Sequence, residues 1–142
     1  MSDAETAVDL IHLADRQNSV VIRVLGHHDG GDVEAEVVIT STFCNGRLGL
    51  SLAPKDLDDW ATALDDLARG LSVCWMTDMR NPEINIEFNT QFAIPLITVE
   101  DVQGSTTAMA VPVDLPDGWV EEHRRRLDHI RQLPLRPQAI QQ

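Results

Sequence analysis

Basic side chains are scarce in this sequence. Its 142 residues include 11 lysines and arginines against 23 aspartates and glutamates, which gives a formal net charge of −12. Such a surface repels phosphate, so no nucleic-acid partner is expected, whereas a basic protein would be attracted. The excess is uneven: residues 1–113 carry 18 acidic and 6 basic side chains, and residues 114–142 carry 5 of each. Plain solubility is the alternative explanation for the acid.

Long apolar runs are also missing. None approaches the ~20 residues that a membrane helix needs, and the first ten residues are acidic where a secretory signal would be basic. These absences predict a cytoplasmic protein without a membrane partner. The length fits a single domain over residues 9–133, with flexible tails at residues 1–8 and 134–142.

Cysteine is limited to Cys44 and Cys74. In a cytoplasmic protein two buried, reduced thiols are the expected state, with a disulfide or a catalytic thiol as alternatives. Gly26, Gly30 and Gly31 do not form the phosphate-binding glycine pattern ahead of a helix, so no cofactor is predicted.

The segment from Leu48 to Met76 organises the chain, because it reads as a strand, a helix and a second strand. The helix is predicted at about residues 54–70, where Pro54 suits the first turn and Gly70 supplies a left-handed stop. Its apolar positions recur with helical spacing, which predicts a buried stripe: Leu57, Trp60, Ala61, Leu64, Leu67 and Ala68.

Alternating apolar residues predict strands on either side of this helix. The predicted segments are Asn18–Gly26, Val33–Thr40, Thr42–Leu52, Leu71–Met76, Glu83–Asn89, Phe92–Val99 and Thr106–Val113, with Asp9–Asp15 as a short turn or strand. A second helix is predicted at about residues 116–132, with a buried face of Trp119, Val120, His123, Leu127 and Ile130. The fold class is therefore α+β: about seven mostly antiparallel strands in a curved sheet packed on two amphipathic helices.

Several short motifs are spread over nearly the whole chain: Leu10–Asp15, Val20–Gly26, Gly46–Leu48, Asp56-Leu57 with Trp60-Ala61, Leu64 and Leu67-Ala68, Asn81–Ile84, and Asp117–Trp119 with His123-Arg124. Together these motifs resemble a family of small uncharacterised actinobacterial proteins. More remotely, the layout of strands and helices looks like the immunity proteins that accompany wall-associated polymorphic toxins.

Three groups of residues raise questions of chemistry. The loop His27–Asp32 contains metal-ligand side chains, but without a second ligand cluster at matching spacing a solvated hairpin turn is expected. His123 has no nucleophile partner in a recognisable motif and is expected in the core. Arg124, Arg125 and Arg126 are expected to pair with acids on their own helix. No catalytic residue and no metal site is predicted.

We therefore expect a non-enzymatic protein-binding module, immunity- or antitoxin-like, whose acidic surface binds a basic protein partner such as a toxin. One alternative is a small-ligand-binding protein or enzyme with a site in the concave side of the sheet. Another is a structural or assembly subunit that buries an edge strand near Pro95. The predicted partner-binding residues are Glu34, Glu36, Asp58, Asp59, Asp65, Asp66, Glu83 and Glu87.

Overall fold

The computed structural model describes residues 8–27, 31–88 and 90–133, and within these ranges the chain forms eight strands and two helices. Neither helix is long and apolar enough to cross a membrane. The elements are β1 (Val8–Ala14), β2 (Ser19–His27), β3 (Val33–Thr40), β4 (Asn45–Leu52), α1 (Pro54–Ala68), β5 (Val73–Trp75), β6 (Glu83–Glu87), β7 (Leu96–Glu100), β8 (Ala108–Pro112) and α2 (Trp119–Gln132).

The strands form two sheets of four, which corrects the prediction of one curved sheet. Sheet A has the order β1-β2-β3-β4, sheet B has the order β5-β6-β7-β8, and every neighbouring pair is antiparallel. The α+β class is confirmed. The single sheet was wrong because α1 carries the chain away from β4, so β5 starts a new sheet. The segment Asp9–Asp15, predicted as a short turn or strand, corresponds to strand β1. This strand also includes Val8, which was predicted to belong to the tail.

One hydrophobic cluster contains buried residues from both sheets and both helices. Helix α1 contributes Trp60, whose side chain is fully buried, and the Trp60 ring lies 4.9 Å from the Trp75 ring of β5, centroid to centroid. The Trp75 indole N–H donates to the Asp56 carbonyl over 3.0 Å. The central helix is therefore the packing partner that the sequence predicted, with Leu57, Leu64 and Leu67 also buried.

The ends of α1 follow the sequence closely. Pro54 begins the helix, and Gly70 lies just beyond it with a φ of 80°, a conformation that favours glycine. Asp56 differs from the other aspartates of α1 because it is buried, with 5% of its surface exposed. Its Oδ2 accepts the Ala53 N–H over 2.8 Å, so this carboxylate caps the start of the helix instead of facing solvent.

Helix α2 covers the free edge of β1. The backbone N–H of His12 donates to His123 Nε2 over 3.0 Å, and Arg126 donates to the Asp9 carbonyl over 3.1 Å. His123 Nδ1 lies 2.7 Å from the Trp119 carbonyl, to which it donates its hydrogen. Both ring nitrogens are therefore used within the fold, and the edge groups of β1 gain partners that an edge strand lacks.

The opposite edge of sheet A, β4, is closed at one end by a side chain. The Asn81 side chain accepts the Ser51 N–H and donates to the Ser51 carbonyl, both over 3.0 Å. Asn81 is 4% exposed. Its amide thus reproduces the two hydrogen bonds that a neighbouring strand would make.

The edge strand predicted near Pro95 is not found there. Pro95 precedes β7, which lies between β6 and β8 inside sheet B, and the Pro95 carbonyl accepts the Val113 N–H over 3.0 Å. The prediction was wrong because Pro95 lies at the start of β7, immediately before its first residue, a position at which a strand tolerates proline even inside a sheet. The assembly hypothesis therefore loses the surface on which it was based.

Candidate functional site

Three glutamates share the outward surface of sheet B. In the register of the sheet, Glu83 of β6 lies directly opposite Glu100 of β7, and Glu87 lies opposite Leu96. The inward positions between them, Ile84 and Ile86, are buried in the core. Because side chains alternate along a strand, Glu83, Glu87 and Glu100 all point away from that core. We call this set the sheet B acidic face.

A polar row crosses the middle of this face. Cys74, Asn85 and Thr98 are neighbours on β5, β6 and β7. The Cys74 thiol donates to Glu83 Oε2 over 2.8 Å, while Asn85 Oδ1 is buried without a hydrogen-bond partner in the described part of the chain. Partial burial of the Cys74 sulfur raises its pKa to about 12, and the carboxylates of Glu83 and Glu87 add to the shift. This thiol therefore stays protonated at neutral pH.

The sheet B acidic face lacks a paired cation in the part of the chain that the structure describes. Across residues 8–27, 31–88 and 90–133, no lysine, arginine or histidine forms an ion pair with Glu83, Glu87 or Glu100. Like charges placed directly opposite each other in a sheet are destabilising, so the Glu83–Glu100 pair has an energetic cost. A positive charge from another molecule would relieve it.

The four acids predicted on the central helix are placed differently, because each is paired within the chain. Asp58 meets Arg131 at 2.5 Å and Asp65 meets Arg124 at 2.8 Å, so these two pairs join α1 to α2. The other two pairs stay on or next to α1 and join Asp59 to Lys55 at 2.9 Å and Asp66 to Arg69 at 2.5 Å. Half of the predicted acidic surface is thus locally neutralised.

The remaining predicted acids, Glu34 and Glu36, lie on the outward face of β3 in sheet A. Glu36 accepts two hydrogen bonds from Arg47 over 2.9 and 3.0 Å. Glu34 is exposed. The eight predicted residues therefore do not form one surface: they fall on sheet A, on α1 and on sheet B.

Within the described residues, the other sequence candidates do not assemble into a catalytic or metal centre. Residues 28–30 of the predicted metal loop lie outside the described residues, and the described ones contain no group of three or more metal-ligating side chains. Burial lowers the pKa of His123, the bond to the Trp119 carbonyl opposes this, and the neutral ring is a core residue as predicted. Arg124 and Arg125 pair with Glu121 and Glu122, as predicted for this helix.

The prediction of buried cysteines was wrong. Cys44 and Cys74 are both free but exposed. Cys44 lies in the turn before β4, and Cys74 lies on the outward side of β5, a position that the strand alternation around buried Trp75 requires. Cysteine usually prefers the core, and here the register of a three-residue strand overrides that preference.

A cleft of about 330 Å³ between the sheets is the counterpart of the predicted concave site. Its walls are mainly apolar and include Leu48, Val99 and Met109. Asp101 also lines it, but its carboxylate accepts hydrogen bonds from Gly104 and Ser105, and the Ser105 amide bond in particular lowers the pKa of Asp101. The Asp101 carboxylate thus stabilises its own loop. The described lining of the cleft lacks the converging polar groups that a catalytic pocket shows.

Glu100 belongs to the acidic face but is not among the residues predicted from the sequence. The alternation of β7 places Glu100 outward, but the register that brings it opposite Glu83 depends on the loop between β6 and β7. Because a shift of one residue reverses the face that a strand presents, the pairing of two distant glutamates is not readable from either strand alone.

Comparison with known proteins identifies the family of this chain. No curated protein matches the chain. A model of a family of unknown function, DUF5959, matches residues 8–134, which include both sheets and both helices. The chain therefore belongs to the DUF5959 family.

Proposed function

We propose that this protein is a non-enzymatic binding module that recognises a basic protein partner through the sheet B acidic face, in the manner of an immunity or antitoxin protein. The observation that carries the proposal is the cluster of Glu83, Glu87 and Glu100 on one outward surface without an ion pair among the described residues. The partner would lie across β6 and β7 and place lysine or arginine side chains beside these carboxylates.

Electrostatics supplies the mechanism. The net charge of −12 attracts a basic protein from a distance, and the acidic face directs the final contact. Complementary charge mainly accelerates association, and salt weakens it, because the attraction acts before the surfaces meet. A toxin held in this way would be neutralised by occlusion of its own site, without any bond being made or broken.

The alternatives have less support. An enzyme would need an activated group, but His123 uses both ring nitrogens inside the fold and the raised pKa of Cys74 keeps its thiol protonated. A small-ligand protein would need polar groups directed into the cleft, and the Asp101 carboxylate is held by its own loop.

Two triple variants with the same change in net charge test the proposal. The face variant is Glu83→Gln, Glu87→Gln and Glu100→Gln; the control is Asp58→Asn, Asp59→Asn and Asp65→Asn on the helix. The partner is first captured from the native host with the parent protein and identified by mass spectrometry. Its association rate with all three proteins is then measured by surface plasmon resonance at low and physiological salt.

We expect the face variant to associate at least about tenfold more slowly than the parent and to lose most of the salt dependence. The helix control should keep the parent's rate within about twofold, because each of its carboxylates is already screened by a basic neighbour. Equal effects of the two variants would show that only total charge matters. A parent rate that ignores salt would exclude electrostatic recognition.

A further inference from the structure

The open part of β4 presents unpaired backbone groups. Ser41 N–H donates to the Cys44 carbonyl, which places the next even-numbered residues of β4, such as Leu48, in hydrogen bonds with β3. The odd-numbered residues then point away from β3, as the bonds of Ser51 to Asn81 show. Arg47 and Gly49 follow the same alternation, and in the described part of the chain no other backbone group bonds to their outward N–H and C=O.

This open part is also sterically accessible. Arg47 and Gly49 are exposed, and a Cβ added to Gly49 would meet nothing within 4 Å. The Asn81 amide already occupies the next outward position in strand-like geometry. The edge of β4 can therefore pair with the backbone amides of another strand at Arg47 and Gly49, whereas Asn81 occupies the position at Ser51.

The apolar cleft lies directly beside the open groups. Leu48, between Arg47 and Gly49, points to the opposite side of the strand and lines the cleft together with Val37 and Met109. A strand added next to β4 would place every second side chain over this cleft, because side chains alternate along it. Backbone pairing with a side-chain pocket is the usual arrangement for binding an extended peptide.

We propose that β4 is a docking edge for an extended, positively charged segment of the partner protein, which adds a fifth strand to sheet A and inserts an apolar side chain into the cleft. The inference rests on the proposed function, since it assigns the basic partner a second contact. The two contacts are neighbours along the chain: Glu100 precedes Asp101, which lines the cleft, and Glu83 follows Asn81 by two residues.

Charge selects this occupant over a second copy of the chain. Two copies of the chain, each with a net charge of −12, repel each other as they approach, which opposes pairing through β4. The one cation at the open edge, Arg47, is held by Glu36 through two hydrogen bonds, so it offers little attraction to an acidic segment. A basic segment meets no such opposition.

The probe is the peptide acetyl-Lys-Val-Thr-Val-Thr-Val-Lys-amide, whose valines alternate with polar residues and whose ends are cationic. It is titrated into ¹⁵N-labelled full-length protein, and amide shifts are followed by NMR. We expect the largest shifts at Arg47, Leu48 and Gly49. Replacing both threonines of the peptide with proline should remove them, because proline cannot donate to a ladder. Replacing both lysines with glutamate should weaken binding.

Matched protein variants identify the edge that is used. Gly49→Pro removes one outward N–H from β4, and Ala110→Pro removes the equivalent outward N–H from β8, the edge of sheet B; proline is tolerated at such edges. Gly49→Pro should weaken peptide binding about fivefold, the value of one hydrogen bond. Ala110→Pro should leave it unchanged. The peptide controls test the same point without any change to the protein.

The outcomes separate this inference from the proposed function. Shifts confined to Glu83, Glu87 and Glu100, or equal binding by Gly49→Pro and the parent, would overturn edge docking and leave the acidic face in place. Shifts at Arg47–Gly49 that persist in the Glu83→Gln, Glu87→Gln, Glu100→Gln variant would support edge docking, even if the acidic face proved not to bind the partner. A parent dimer in sedimentation that Gly49→Pro dissolves would make a second copy the occupant and overturn the proposal.

Discussion

At the scale of single residues, His123 is one of two α2 side chains that hydrogen-bond to the backbone of β1, and Arg126 is the other. His123 is 1% exposed, accepts a hydrogen bond from the His12 backbone and donates one to the Trp119 carbonyl. Only a neutral ring with its hydrogen on Nδ1 satisfies both bonds. Burial, the largest cause, lowers the pKa of His123 from 6.5; Arg126 lowers it further, whereas the Trp119 bond and Glu122 oppose the shift.

This shift predicts a loss of stability in mild acid. The unfolded chain binds a proton at His123 below about pH 6.5 more readily than the folded chain, so the contribution is complete above that pH and falls as the pH drops toward the folded pKa. Urea unfolding at about pH 8 and about pH 5.5 measures it. His123→Gln should flatten the difference, and His129→Gln, at an exposed position of the same helix, should preserve it. If His123→Gln lost as much stability between the two pH values as the parent, the loss would be due to other titratable groups.

The two cysteines are expected to react at different rates. The hydrogen bond to Glu83 and the raised pKa of about 12 keep the Cys74 thiol protonated, and the thiolate is the reactive form. Cys44 is exposed, and its sulfur lies 3.8 Å from the Met109 sulfur, with no hydrogen bond to a carboxylate among the described residues. Alkylation of the native protein without reductant, followed by mass spectrometry, should label Cys44 first.

Controls for the thiol prediction come from the same molecule. Glu83→Gln removes one carboxylate from the Cys74 thiol and should speed its alkylation, and unfolding should make both sites react alike. Equal native rates at Cys44 and Cys74 would show that the bond to Glu83 does not protect the thiol. A crosslink between them would contradict the finding that both thiols are free.

At the scale of elements, α1 joins the two sheets through Trp60. Its ring is fully buried against Trp75, and its indole N–H has no hydrogen-bond partner among the described residues, so its contribution is one of packing. Trp60→Ala should lower the free energy of unfolding by ~3–5 kcal/mol, the range for removal of a large core aromatic. Urea titration measures the change.

Trp119→Ala is the comparison for that experiment. Trp119 begins α2 and is only partly buried, so its removal should cost clearly less than that of Trp60. A Trp60→Ala protein that unfolds at the parent's urea concentration would show that α1 is peripheral to the core. Each of these two variants lacks a tryptophan and therefore has an altered fluorescence signal. Unfolding of the parent and of both variants should therefore be followed by far-UV circular dichroism.

The elements themselves were largely predictable, because short-range patterns determine them. Helix α1 begins at Pro54 and stops before Gly70, as the end residues indicated. The division into two sheets was not predictable in the same way. It depends on what lies beside β4 at Ser51, and the answer is a side chain, Asn81, thirty residues further along. Nothing in the pattern of either segment marks that contact.

The candidate site could also be predicted only in part, because some of its features depend on contacts between residues that are distant in the sequence. Glu83 and Glu87 were predicted because their own strand alternates, whereas Glu100 needed the register between β6 and β7. Asp58 and Asp65 of α1 are exposed, but their pairing with Arg131 and Arg124 of α2 follows from helix packing. Net charge is readable from composition; which charges stay uncompensated is decided by tertiary contacts.

At the scale of the whole molecule, the two sheets are expected to unfold together. Buried residues from both sheets and both helices form one cluster, and Asn18, between β1 and β2, donates to the Pro112 carbonyl at the end of β8 over 2.8 Å. Asp15 ties the same ends, since its Oδ2 accepts the Asp114 N–H over 2.9 Å. Tryptophan fluorescence and far-UV circular dichroism should therefore give coincident urea transitions. Two separated transitions would show that the sheets are independent units.

The side chain that closes β4 also has a chemical consequence over time. Asparagine deamidates mainly when the backbone nitrogen of the next residue attacks the side-chain carbonyl. Asn81 is followed by Pro82, whose nitrogen carries no hydrogen and cannot close that ring. Exposed Asn45 precedes Gly46, which offers both an amide and little steric hindrance. Ageing is therefore expected to add negative charge at the open end of β4, while Asn81 keeps the neutral amide that holds Ser51.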